Sequence, residues 1–506
     1  MSEITVIEVA GEAGVVIEVV GLGPQGPAAP DLSAAGLAEI LAGADGAARA
    51  ALVTELKALI GAPVVTWPSL PLPVGARLAA IGDSQIAFNV LQSGAIGSDL
   101  AANTNALGFI QQALAIDPRF RFDSWYQPGE PTGRNVGGAN QGVFGDHLGS
   151  GALGGIVGRL PQVLAGKPDV LVLQGGSNTI SSGDDGQSSA AYVIAKLEVA
   201  LMLCRQAGVP VILMTIYPRG DWPVGDARHQ AVIAANSWIR AQYGREGVVG
   251  VLDTEAMLAP AGVQDVSLFM ADKVHLSTKG AIRVAREGLL PILQRVVAPG
   301  RWFELDPAVS NLHALAMGQM AGTAGTRTGG IVPTGVVANN CILTGSSNAS
   351  AIVASKEVVA GALEAQVLDI TPADLAAGSY GQATFSPAIV SGGLPSAGQW
   401  VRAMLFVETG TVTALSCLRL QLAIRQGTTV RARNYALTVS SDSFGLAMPG
   451  RGGIWLITEP LCVPEGVTFD RIFTALEIYW DKLAPAFQLK ISRPIIRTVA
   501  DPNSPH

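Results

Sequence analysis

The stretch Arg77-Leu78-Ala79-Ala80-Ile81-Gly82-Asp83-Ser84-Gln85 decides how the middle of this chain is read, because a short apolar run ends on a glycine turn carrying an acid, a hydroxyl and an amide. Further segments repeat that design. Residues 169–174 run into Gly175-Gly176-Ser177-Asn178, and residues 209–216 and 248–252 are also strand-like, while 190–207 and 277–296 have helical character, with Ser277 as a plausible cap. This alternation predicts a parallel sheet with crossover helices on both faces over residues 76–300. Ligands of open parallel sheets gather beyond the carboxyl ends of the strands, so the chemistry is expected in the turns that follow each run.

A serine hydroxyl is a weak nucleophile until a base takes its proton, and the base needs a third group to hold its tautomer. In Asp272-Lys273-Val274-His275 the carboxylate can reach Nδ1 of the imidazole across one turn and leave Nε2 free to face Ser84. Acyl transfer also needs donors where negative charge develops on the carbonyl oxygen. The backbone N–H groups of Ser84 and Gly145, the latter within Asn140-Gln141-Gly142-Val143-Phe144-Gly145-Asp146, and the side-chain amide of Asn178 supply three candidates. Trp125, Tyr126 and Trp222 lie in Pro/Gly-rich loops of the same region and are candidates for stacking on sugar rings.

These blocks, in this order, resemble the SGNH/GDSL hydrolase superfamily. The resemblance assigns Ser84 as nucleophile, Gly145 and Asn178 to the oxyanion hole, and Asp272 and His275 as the closing acid–base pair. It implies a flavodoxin-like α/β/α fold and a serine esterase without cofactor. Two positions depart from the family's habit: Gln85 stands where leucine is common, and Thr179 where an acidic residue is common. The α/β-hydrolase alternative fails because Ser84 lacks the Gly-x-Ser-x-Gly elbow.

Outward from this region the chain changes character. Residues 4–10 and 15–20 read as a small hairpin or arm, followed by the collagen-like triplets Gly23-Pro24-Gln25 and Gly26-Pro27-Ala28. These read either as a stiff spacer or as a place where three chains run together. Residues 31–75 combine an Ala/Leu-rich helical segment with a proline-rich linker. Beyond Pro299-Gly300, residues 301–506 become short Val/Thr/Ile/Tyr segments punctuated by Gly, Ser and Asn, expected to form a β-sandwich or jelly roll.

Composition sets limits on partners. Only 14% of the 506 residues are charged, against about a quarter in ordinary soluble chains, yet no apolar run is long enough for a membrane span. The net charge of −7 and the lack of a Lys/Arg cluster argue against nucleic acid. Cys204, Cys341, Cys417 and Cys462 are too widely spaced for a zinc or redox motif, so no metal is expected. No secretory signal is visible at the start. The N-terminal arm, residues 1–30, resembles the attachment ends of bacteriophage tail fibres and tailspikes. The Gly/Thr-rich stretch from Met320 resembles the opening of β-modules that follow phage SGNH domains and are similar to carbohydrate-binding jelly rolls. The resemblances imply a homotrimeric virion fibre or spike subunit, made in the cytoplasm and joined to virion proteins by its arm, that deacetylates a host capsule or lipopolysaccharide. A receptor-binding protein with an inactive hydrolase fold and a cellular carbohydrate esterase or lipase are the alternatives.

Overall fold

A computed structural model describes the backbone at residues 4–11 and 14–21, and then residues 66–89, 108–123, 138–151, 154–217, 219–303, 320–345, 349–359, 363–373, 380–387, 393–409, 415–436, 453–481 and 485–501. The expected N-terminal hairpin is present as antiparallel strands β1 (Ile4–Gly11) and β2 (Gly14–Gly21). The collagen-like triplets and the helical segment from residue 31 lie outside the described residues, as do Trp125 and Tyr126.

The middle of the chain is the expected parallel sheet. Strand β3 (Ala76–Gly82) is flanked on one edge by β4 (Phe120–Arg121) and β5 (Asn140–Gly142), which share that edge, and on the other by β6 (Val170–Leu173). Strands β7 (Val211–Met214) and β8 (Val248–Leu252) continue the sheet, every pairing being parallel. Counting β4 and β5 as one broken strand, the order is 2-1-3-4-5, the doubly wound arrangement whose chain reverses direction between its first and third strands. Every residue of Val170-Leu171-Val172-Leu173 and Val211-Ile212-Leu213-Met214 is buried, as strands covered by helices on both faces require. The helix expected at 190–207 spans Ala190–Ala207, capped by Ser189, whose hydroxyl accepts the Tyr192 N–H, and ended by left-handed Gly208. The last helix starts at the expected cap, Ser277, but is not regular. Its middle, Val284–Leu289, widens into a π turn just before Pro291, a residue that has no N–H to give and crowds the preceding turn.

Residues beyond 320 form two packed sheets of mixed strand direction. One contains the strands Ala349–Val359, Leu363–Pro372, Phe487–Val499, Trp400–Glu408 and Gly453–Ile457; the other contains Leu415–Gln426, Arg471–Asp481, Tyr380–Ser386 and Val337–Gly345. Leu405, Leu456, Leu420, Leu476, Phe385 and Trp480 meet between them. The first sheet has no wet face along Trp400–Glu408. Leu405 and Val407 point into the sandwich, while Met404 and Phe406, with Trp455, Ile457 and Ile495, pack on the hydrolase-side core beside Phe109, Leu114 and Phe303. On that same face Arg402 reaches Asp123, at the end of the β4 segment, with Nη2 2.7 Å from Oδ1. Trp302 lies alongside, with the Arg121 and Arg402 guanidiniums 5.6 Å and 5.2 Å from its ring centre.

Candidate active site

The carboxyl ends of β3 and β6 meet at the switch point of the sheet, and Ser84 and Asn178 follow those two strands. Ser84 opens a four-residue helix, α1 (Ser84–Ala87), whose cap Asp83 accepts the Gln85 N–H at 3.0 Å. Asp83 is itself fixed to the end of β6 by a reciprocal pair: its N–H donates to Gln174 Oε1 at 3.0 Å, and Gln174 Nε2 donates to its Oδ2 at 3.1 Å. Burial pushes the Asp83 carboxyl above its ordinary value, against the pull of these hydrogen bonds. The turn that carries Ser84 is therefore built on a fully satisfied buried carboxyl group, and Ser84 itself is only 8% exposed.

His275 approaches from the far end of the domain. Its Nε2 lies 2.8 Å from Ser84 Oγ and its Nδ1 2.6 Å from Asp272 Oδ2. The other oxygen, Asp272 Oδ1, accepts the backbone N–H groups of Val274 and His275 at 2.9 and 3.0 Å, so the three-residue spacing closes into a tight turn around the carboxylate. Burial tends to raise the Asp272 carboxyl, but those two N–H groups and the imidazole outweigh it and hold it below its ordinary value. The group stays ionised, as needed to face an imidazolium. Phe88, at the end of α1, packs edge-on to the His275 ring at 4.8 Å and to Phe144 at 5.1 Å, and so links His275 to the turn that carries Gly145.

That turn is Val143 to Asp146. Gly145 has φ +72, the left-handed region where glycine is at ease. Among the described residues neither the Ser84 nor the Gly145 backbone N–H has a partner, which leaves both free for a ligand oxygen. Asn178 sits in the first turn of α2 (Ser177–Ser182), entered through Gly176 at φ +111, where a Cβ would come 2.8 Å from Ile216 Cδ1. One amide hydrogen of Asn178 goes to the Asp146 carbonyl at 3.0 Å, and the second remains available. Beneath this turn Asp146 and Arg159 form a buried ion pair at 2.5 Å, and Arg159 also donates to the carbonyls of Gln141 and Gly82. One guanidinium thus joins β3, β5 and the oxyanion turn. Thr179 does structural work: its hydroxyl accepts the Leu148 N–H at 3.1 Å, beside Asp184, which accepts from Gly149 N–H at 2.6 Å.

The five residues expected at the centre, Ser84, Gly145, Asn178, Asp272 and His275, are thus placed around one end of the sheet. Trp222 is not an open platform. It is 4% exposed within the core under the β6–β7 side, with the Arg219 and Arg228 guanidiniums 4.5 Å and 5.4 Å from its ring centre, so no face is left for a sugar. The sequence offered no sign of Gln174 or Arg159 as supports. Among the described residues no group of His, Cys, Asp and Glu is arranged to hold a metal ion, and no helix is long and apolar enough to cross a membrane.

Residues 80–281 match the GDSL-like Lipase/Acylhydrolase family, and this part of the chain is a GDSL/SGNH hydrolase domain. No curated protein matches the chain in sequence. Similar solved structures include an acetylxylan esterase of Geobacillus stearothermophilus, 20% identical over 44% of this chain and 97% of that one, with a TM-score of 0.30. A member of the lipolytic G-D-S-L family from Veillonella parvula is 18% identical over 42% of this chain and 95% of its own, with a TM-score of 0.30. The enzymatically active domain of tailspike protein 4 from bacteriophage CBA120 is 12% identical over 32% of this chain and 20% of its own, with a TM-score of 0.20.

Proposed function

We propose that this chain is a serine esterase that removes O-acetyl groups from a host surface polysaccharide, capsule or lipopolysaccharide, as a subunit of a phage fibre or spike. The observation that carries the chemistry is the unbroken line from Asp272 through His275 to Ser84, with contacts of 2.6 and 2.8 Å. Ser84 Oγ attacks the acetyl carbonyl carbon while His275 Nε2 takes the hydroxyl proton and Asp272 faces the imidazolium. The carbonyl oxygen, now negative, is met by the Ser84 and Gly145 N–H groups and the free amide hydrogen of Asn178. His275 returns its proton to the departing sugar oxygen, leaving an acetyl ester on Ser84. Water, deprotonated by the same imidazole, attacks that ester, and acetate leaves as Ser84 recovers its proton. In this reading the Phe88 ring, in edge contact with both the His275 ring and Phe144, leaves room beside the base for a short acyl group.

The virion setting rests on the sequence outside the hydrolase domain: the arm with its Gly-Pro-Gln-Gly-Pro element and the Gly/Thr-rich entry to the β-region. In that setting the arm joins virion structural proteins and three copies associate. The test is acetate release from purified host polysaccharide together with the mass of the particle-free protein. The parent is expected to release acetate as a trimer, and Ser84→Ala to lose at least about a thousandfold in rate. A Ser84→Ala protein that releases acetate as fast as the parent overturns the assignment of the nucleophile, and a strictly monomeric active protein overturns the fibre setting.

A further inference from the structure

Gln85 stands where leucine is common in the hydrolases that this region resembles, and its amide reaches across the site. We infer that Gln85 is a positioning residue that holds the acid–base turn against the nucleophile, an inference that rests on the esterase reading above. Its Nε2 donates to the carbonyl of Val274 at 2.9 Å, spanning 189 residues of sequence. Val274 lies between Asp272 and His275, so this bond ties the residue after the nucleophile to the peptide that separates the acid from the base. The turn needs such restraint. Lys273 has φ +58, a strained value for a long side chain, and its carbonyl is held from two other sides, by Gly220 N–H at 3.1 Å and Gln264 Nε2 at 2.8 Å. Those two tethers fix the turn to neighbouring loops. The Gln85 bond runs directly to the short helix on which Ser84 stands, and it therefore bears on the 2.8 Å separation of His275 Nε2 from Ser84 Oγ.

Its neighbour completes the arrangement. Asp83 anchors the nucleophile turn to the end of β6, from which the Asn178 segment departs, and Gln85 anchors it to the acid–base turn. Ser84 is thus gripped through the residues on both sides, one setting its distance from the oxyanion donors and the other its distance from the base. A misplacement of about 1 Å between reacting groups can cost a hundredfold in rate. Loss of the Gln85 bond should accordingly slow the chemical step while leaving ester binding untouched.

The experiment compares Gln85→Leu and Gln85→Glu with the parent on p-nitrophenyl acetate, by the rate of Ser84 labelling with a fluorophosphonate, and by hydrogen exchange of the peptide covering 270–277. Gln85→Leu should lower kcat and the labelling rate by about ten- to fiftyfold, with KM within about threefold, and speed exchange of the Val274 and His275 amides. Gln85→Glu places a carboxylate oxygen against the Val274 carbonyl at neutral pH. Below about pH 5 the protonated acid donates again, so its rate relative to the parent should recover as pH falls. Loss of thermal stability with unchanged kcat and unchanged exchange would mark a residue that merely packs, and would overturn the inference. Parent-like kinetics in both variants would overturn it as well. If the parent itself neither hydrolyses esters nor labels at Ser84, the esterase reading falls, and faster exchange in Gln85→Leu alone then decides whether the clamp exists.

Discussion

Asn178→Ala provides the sharpest test of the oxyanion arrangement. In the proposed mechanism the side-chain amide of Asn178 is one of three donors to the developing oxyanion, and it is the one of the three that can be removed without altering the backbone. One of its hydrogens is committed to the Asp146 carbonyl, so a single hydrogen is available to the transition state. Losing one such donor typically costs about 2.7–4 kcal/mol, which is 10²–10³ in kcat. KM should stay within about threefold, because the ground-state carbonyl carries little of the charge that this donor serves. Asn178→Asp should be worse than Ala. A carboxylate there would face both the Asp146 carbonyl and the developing oxyanion, adding repulsion where the alanine merely leaves a gap to water. Initial rates on p-nitrophenyl acetate and on an acetylated glycan, with circular dichroism to establish that the variants fold, make the comparison. A variant within fivefold of the parent in kcat, or one whose whole defect lies in KM, refutes the assignment of Asn178 to the oxyanion hole.

Asp272→Asn keeps an oxygen for the Val274 and His275 N–H groups but turns an amide toward Nδ1, so the imidazole loses the tautomer that faces Ser84. Because the Asp272 side chain is 45% exposed, the electrostatic part is screened, and a fall in kcat of about ten- to a hundredfold is expected in steady-state assays. Gly145→Ala has open space for its Cβ but a φ of +72 to maintain, a conformational cost of about 1–2 kcal/mol. Its kcat should fall about tenfold, and Gly145→Asn, a residue that tolerates this conformation, should recover part of the loss. Arg402→Met should lower the thermal midpoint by roughly 5–10 °C in scanning calorimetry, from a cost of about 2–3 kcal/mol, since Arg121 still pairs with Asp123 at 2.7 Å. Burial alone would raise the Asp123 carboxyl, but Arg402 and then Arg121 hold it below its ordinary value. The stability it contributes is therefore present above the unfolded carboxylate range and lost as pH falls through the folded one. The deficit of Arg402→Met should accordingly be full at neutral pH and narrow below about pH 4.

What was legible in the sequence depended on locality. Asp272 and His275 are readable together because a carboxylate three residues before an imidazole closes on itself, here through two backbone N–H groups and Nδ1. Ser84 and Asn178 are readable because each follows a short apolar run, and strand ends in a doubly wound sheet converge. Supports that join distant segments left no such trace. Gln85 and Val274 are 189 residues apart, and Arg159, within a helix, touches both Gln141 and Gly82. Each looks like an ordinary polar residue until the fold brings its partner alongside. Trp222 shows the converse error. A tryptophan beside prolines and glycines suggests an exposed platform, but Arg219 and Arg228 over its ring and the surrounding core turn it into an anchor.

The scarcity of charge in this chain has a structural cause in the seam between its two cores. An ordinary sandwich strand alternates between core and solvent and so spends half its positions on polar residues. In Trp400-Val401-Arg402-Ala403-Met404-Leu405-Phe406-Val407-Glu408 that second half faces another core, and Met404 and Phe406 are as necessary to the hydrolase side as Leu405 and Val407 are to the sandwich. The strand Gly453–Ile457 does the same with Trp455 and Ile457 on one side and Ile454 and Leu456 on the other. Arg402, the buried polar residue on this face, is matched by Asp123 and Trp302, so even its charge is spent inside the seam. A β-region appended only to bind sugar would not need that face to be apolar. Its sheet serves as the outer wall of the hydrolase domain, and cutting the chain near residue 304 should expose Phe109, Leu114 and Phe303 at once. The excised domain is therefore expected to aggregate or lose activity even though every residue of the proposed mechanism lies before the cut, whereas a soluble fragment with the parent's kcat would show that the seam is dispensable.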